Sequence, residues 1–163
     1  MDTARTDDMV HVARWHWGDK EWSPFSAAEM DYRQGALRDH LAAEGIDACL
    51  LTSYHNICYY SGWVFCYFGR KYGMVIDGEN ATTISAGIDG GQPWRRTYGD
   101  NLVYSDWRRD NYYQAVRDLM GGASRLGVEL DHLSVDQFRS LEAALPGVEL
   151  VDIGSATMWM RTV

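Results

Sequence analysis

Cysteine is scarce in this chain, and no spacing puts it to work. Cys49, Cys58 and Cys66 are an odd number with neither a CxxC nor a metal-ligand pattern. That excludes a disulfide framework and a zinc ribbon, and the three read as reduced, mostly buried thiols of a cytosolic protein. Long apolar runs are missing as well: no stretch of about 18 apolar residues exists to form a membrane-spanning helix. The opening MDTARTDDMV is acidic and lacks the apolar core of a secretory signal. Positive charge is in deficit, with 15 Lys and Arg against 23 Asp and Glu and a net charge of -8. This balance argues against nonspecific nucleic-acid binding but leaves room for a local basic pocket. Neither nucleic acid nor a membrane is expected as a partner.

Catalytic signatures are equally sparse. The histidines are His11, His16, His40, His55 and His132, and none forms an HExxH pair. P-loop and GxSxG patterns are absent. The GIDGG stretch does not open onto a helix with the Lys or Thr that a phosphate loop needs, so it reads as a connection. His132, in ELDHLS, is a lone loop histidine and reads as structural. No carboxylate spacing marks an acid/base pair, and most acidic residues read as solvated faces.

What the chain does have is a globular composition. At 163 residues, 46% hydrophobic and 13% aromatic, it is sized for one domain with a substantial core. Seven Trp and ten Tyr exceed what a core alone requires and favour contact surfaces. Residues 1–25 show no period. Their RWHWGDKEWSPF, with Trp15, Trp17 and Trp22, reads as an arm packed on another surface, such as a second subunit.

From Ser26 the local patterns become regular. Ser26–Glu29 has the form of a capping box, Met30, Leu37 and Leu41 follow at helical spacing, and Gly45 stops a helix over 27–44. Residues 46–52 form a buried strand, and 55–62 make one or two helical turns closed by Gly62. Strands are expected at 63–68, 72–76 and 81–85, with turn chemistry at 77–80. The glycines of 87–96 predict a loop. A strand at 102–104 and a helix at 111–120 follow, then a strand at 125–130. Ser134–Gln137 is a second capping box, opening a helix to about Ala144. A strand at 148–154 and the start of a helix at 155–161 complete the chain. The alternation predicts an α/β domain over 26–154, its mixed β-sheet flanked by helices, with one hairpin mixing strand directions. Residues 155–163 read as the start of a linker helix to an absent C-terminal catalytic domain.

CYFGRKYG, residues 66–73, is the segment most suggestive of a site. Arg70 is surrounded in sequence by Trp63, Phe65, Tyr67, Phe68 and Tyr72. Two readings stand on the local sequence. Arg70 is an exposed arginine at a turn, with the rings as strand core, or it is half of a pocket for a small anion. A guanidinium can grip a carboxylate with two charge-assisted hydrogen bonds, and neighbouring rings can exclude water.

Four stretches resemble the creatinase family: FSAAEMDYRQGALRDHLAAEGIDACLLTSYHNICYYSG, FGRKYG, SAGIDGGQPWRRT and DWRRDNYYQAVRDL. They lie in family order across roughly residues 18–161, closer to creatinases than to prolidases and proline aminopeptidases of the same two-domain plan. The resemblance implies the small N-terminal domain of a homodimeric "pita-bread" enzyme, an amidinohydrolase that splits creatine into sarcosine and urea. It implies no metal and no cofactor, with the histidine base and the guanidinium-binding carboxylates in the larger C-terminal domain. This chain alone is therefore expected to be inactive.

By the same resemblance, Phe68, Gly69 and Arg70 match a Phe-Gly-Arg element that reaches into the partner's active site. Arg70 and Phe68 are thereby substrate-binding candidates: Arg70 for the carboxylate of creatine or a similar guanidino acid, Phe68 as a wall beside its N-methyl group. The arm does not match the family well, and Lys71 stands where a creatinase has proline. Two alternatives remain: the N-terminal domain of a metal-dependent Xaa-Pro peptidase or other guanidino-acid hydrolase, and a noncatalytic binding or assembly module.

Overall fold

The computed structural model describes residues 11–21, 23–67, 69–105 and 111–162. Within them lie seven strands: β1 (Val12–Ala13), β2 (Ala48–Leu51), β3 (Gly73–Asp77), β4 (Ala81–Ala86), β5 (Asp100–Tyr104), β6 (Arg125–Val128) and β7 (Glu149–Asp152). Six helices accompany them: α1 (Ala27–Ala43), α2 (Tyr54–Ser61), α3 (Gln92–Arg96), α4 (Tyr112–Met120), α5 (Val135–Ala144) and α6 (Gly154–Met160). The strands form one sheet in the order β1-β5-β4-β3-β2-β6-β7. β2, β6 and β7 run parallel, as do β4 and β5, while β3 is antiparallel to both its neighbours. The expected mixed α/β sheet is present, and the β3–β4 hairpin is one source of the mixing. Its turn is set by Asp77, whose Oδ1 accepts from the amides of Glu79 at 2.8 Å and Asn80 at 2.6 Å.

Period-two alternation splits the core into two layers. Ala48, Leu50, Val75, Leu126 and Val128 face α4 and α5, meeting Tyr112, Val116 and Leu141. Cys49, Leu51, Met74 and Ile76 face α1 and α2, meeting Leu37, Leu41, Ile57 and Tyr60. Burial pushes the Cys49 thiol up to about 12, so it is inert packing. Cys58 is half-buried and Cys66 exposed, so the expectation of mostly buried thiols fails at Cys66. Among the described residues no helix is long and apolar enough to cross a membrane.

Helix starts follow the sequence with one difference. At α5 the capping box is complete, Ser134 and Gln137 serving each other's backbone amides. At α1, Ser26 Oγ accepts from the Glu29 amide at 3.2 Å, but the Glu29 carboxylate turns instead to Arg33, at 2.8 Å. Arg33 is held between the rings of Phe25 and Tyr59, so it offers a fixed, charge-assisted partner that the backbone amide does not match.

Three expectations need correction. Residues 63–67 turn Trp63 and Phe65 inward, yet they join no strand, because both edges of β3 are already taken by β2 and β4. Residues 87–96 are not a plain loop: a single 3₁₀ turn spans Gly87–Asp89 and α3 follows, Pro93 sitting in its first turn where no amide is needed. The arm docks on its own chain. β1 pairs with β5, Trp15 stacks on Trp17, His16 stacks on Trp94, and Lys20 Nζ donates to the carbonyls of Trp94, Thr97 and Gly99 at 2.7–2.8 Å. Glu21 bridges Arg95 and Arg96. Trp22 lies outside the described residues.

Candidate functional site

The segment that carries Arg70 begins at α2, and α2 is tied down at its start by a buried acid. Glu129, at the end of β6, is 2% exposed. Its carboxylate accepts from the amides of Thr52 and Ser53, from Ser53 Oγ at 2.6 Å and from Asn56 Nδ2. This places a negative charge against the positive end of α2 and satisfies donors the helix leaves free. Asn56 also donates to Thr157 of α6 at 3.0 Å, joining that helix to the same network. His132 belongs to it too, its Nδ1 3.0 Å from Thr52 Oγ1, which is the structural role expected of it.

Past Gly62, whose φ of 72° reverses the chain, three rings lock together. Trp63 and Phe65 stand 4.5 Å apart, Phe65 and Tyr72 4.5 Å, and Trp63 and Tyr72 5.7 Å. All three are core. The chain leaves this block at Cys66, turns at Gly69 and returns at Tyr72. Gly69 has φ 74°, a conformation that favours glycine. The returning strand is pinned twice: Tyr104 Oη donates to the Lys71 carbonyl at 3.0 Å, and Tyr112 Oη to the Tyr72 carbonyl at 3.2 Å.

Arg70 therefore sits at the tip of a turn whose two bases are rigid. It is half-buried, and its guanidinium makes no hydrogen bond, ion pair or ring contact with the described residues, leaving its donors available. The two sequence readings thus divide: Trp63, Phe65 and Tyr72 are core, as the first required, while the cation is neither paired nor stacked. Phe68 lies outside the described residues. Around the tip, Val64, Tyr67 and Ile88 expose apolar surface. The crevice lined by Tyr67, Lys71, Tyr72 and His132 encloses about 10 Å³, room for at most one water. It is too small for a guanidino acid.

One neighbour escaped the sequence reading. Asp89, in the GIDGG stretch, accepts from Tyr72 Oη at 3.4 Å. Burial holds its carboxyl above the usual range, an effect opposed by that hydrogen bond, by the charge of Arg70 and by the Ala86 amide. Burial, with the Asp89 carboxylate next, keeps the Tyr72 phenol protonated far above its ordinary value. An acid between two turn glycines resembles any solvated loop acid, so only the fold could reveal it.

Comparison with known proteins gives the following. Residues 33–163 match the family model described as "Creatinase/Prolidase N-terminal domain". Creatinase of Bacillus sp. (strain B-0618) is 47% identical over 148 residues, covering 88% of this chain and 36% of the relative. The chain thus spans about a third of that curated relative's length. Among solved structures, a proline dipeptidase from Streptococcus pneumoniae TIGR4 superposes with TM-score 0.71 at 14% identity, covering 80% of this chain and 97% of that one. The N-terminal domain of cytoplasmic peptidase PepQ from Mycobacterium tuberculosis H37Rv gives 0.64 at 27% identity, covering 80% and 98%.

Proposed function

This chain belongs to the creatinase/prolidase N-terminal domain family, and on that premise we propose that it is the substrate-orienting and dimerisation domain of a creatinase-like amidinohydrolase. The parent enzyme adds water to creatine and releases sarcosine and urea. The observation that carries this reading is the 47% identity to a creatinase, against 14% and 27% for the two peptidase structures.

The chemistry asked of this domain is recognition. Creatine bears a carboxylate at one end and a methylated guanidinium at the other. Arg70, with its donors unspent, grips the carboxylate through two parallel N–H···O bonds. Phe68 walls off water beside the N-methyl group. The apolar rim of Val64, Tyr67 and Ile88 seats the turn against the second subunit of a homodimer, which supplies the ligand cleft that the small crevice beside the turn cannot. Bond cleavage belongs to the larger domain, so these 163 residues alone turn over no creatine, and the assembled enzyme works in the cytoplasm.

In the complete protein, Arg70→Ala is expected to raise KM for creatine and lower kcat/KM by roughly 2–5 kcal/mol, the loss typical of a desolvated charge pair stripped of one partner. Urea release at the wild-type rate by this variant would refute the assignment. Cleavage of Xaa-Pro dipeptides without urea release from creatine would favour the peptidase parent.

A further inference from the structure

The tryptophan arm and the acid of the GIDGG turn have no role in the ligand grip proposed for Arg70, and the fold brings these two segments into contact. The Trp15 ring lies 3.5 Å from the point where a Gly87 Cβ would stand. A Cβ on Gly91 would fall 2.7 Å from Trp17 Cβ and 3.0 Å from the Trp17 carbonyl, so a side chain there would drive the arm off. The turn seated in this way carries Asp89. One carboxylate oxygen of Asp89 accepts from Tyr72; the other is buried and makes no hydrogen bond of normal geometry, with the Ala86 amide its nearest backbone support. Tyr72 belongs to the ring block that forms the base of the Arg70 turn. The charges of Arg70 and Asp89 act on one another, yet they form no ion pair within 4.0 Å.

From this juxtaposition we infer that Asp89 is a positioning residue whose carboxylate aims the Arg70 guanidinium at the ligand, with the tryptophan arm holding Asp89 in place. The inference rests on the reading that Arg70 grips a substrate carboxylate. The separation is what makes the arrangement useful. A short ion pair would consume the N–H groups the ligand needs, whereas a carboxylate farther off biases the long side chain electrostatically and leaves its donors free. Burial strips screening water from the carboxylate, so its field reaches across the gap to the guanidinium. Tyr72 fixes the acid to the same rigid block as the base of the turn, so the direction of the bias is built into the fold.

The test is a double-mutant cycle in the complete enzyme with creatine as substrate: wild type, Arg70→Ala, Asp89→Asn and the double variant. Asp89→Asn is expected to raise KM about threefold to tenfold with kcat little changed, and to have no effect once Arg70 is gone. Trp17→Ala should give a smaller KM rise with the same dependence on Arg70. If Asp89→Asn does not accumulate as folded protein, Trp17→Ala in both backgrounds decides by the same criterion. Wild-type kinetics for Asp89→Asn beside an impaired Arg70→Ala would overturn this inference and leave the Arg70 assignment standing. So would an equal KM rise with and without Arg70. A normal Arg70→Ala enzyme would remove the underlying reading, and this inference with it.

Discussion

Replacing Glu129 by glutamine tests whether a buried charge, and not merely a buried shape, anchors the element that leads to Arg70. Two backbone amides, Ser53 Oγ and Asn56 Nδ2 converge on the carboxylate. Glutamine keeps one acceptor oxygen and turns an amino group toward two of these donors. The best compromise leaves the oxygen on the amides of Thr52 and Ser53, which cannot rotate, and lets the Ser53 hydroxyl turn to accept. Asn56 then faces a donor with a donor, or flips and strands its Nδ2 on the side where its carbonyl now has no partner. Downgrading two charge-assisted bonds to neutral ones costs about 1 kcal/mol, and one buried unpaired donor adds about 1–3, so about 2–4 kcal/mol is expected. For a chain of this size that lowers Tm by roughly 5–15 °C. Urea unfolding with an unchanged m-value is the assay. A loss under about 0.5 kcal/mol would show that the α2 terminus does not depend on the charge.

Two further outcomes follow from local geometry. The Asp47 carboxylate accepts from the amides of Ser124 and Arg125 at 2.8 and 2.9 Å, which holds it below its ordinary 3.8. Its stabilising contribution is therefore complete above that value and is lost as pH falls through the lower folded one. Acid titration of stability should be flatter for Asp47→Asn, with the two proteins converging at the acid end; parallel curves would contradict the linkage. Gly69→Ala meets open space but forces a side chain to φ 74°, a strain of about 1–2 kcal/mol. We expect a small fall in Tm and a clear rise in KM for creatine, since the strain falls on the Arg70 turn; an unchanged KM would separate that turn from binding.

Much of the fold was legible because its signals are local. Ser134 and Gln137 sit three apart and need nothing else to start a helix; Gly62 and Gly45 stop helices by their own conformational freedom. The strand expected at 63–68 fails over the described 63–67 because alternation reports which side chains are buried, not whether the backbone has a partner. Trp63 and Phe65 are inside without any ladder. The role of Glu129 and the docking site of the arm were hidden for another reason. The partners of Glu129 lie 73–77 residues earlier in the chain, and Lys20 caps carbonyls more than 70 residues later. In the sequence, each resembles an ordinary surface charge. Arg70 was conspicuous by residue type, yet Trp63, Phe65 and Tyr72 turned out to build the core at the base of its turn instead of stacking on the cation.

Mixed dimers test the central claim most directly. One subunit carries Arg70→Ala with an intact larger domain, and the other keeps Arg70 but has its catalytic histidine replaced. If the guanidinium works across the subunit boundary, each parent homodimer is impaired while the mixture regains one good site per hybrid, with near-normal KM for creatine. Hybrids no more active than the two parents would place Arg70 elsewhere and contradict the account.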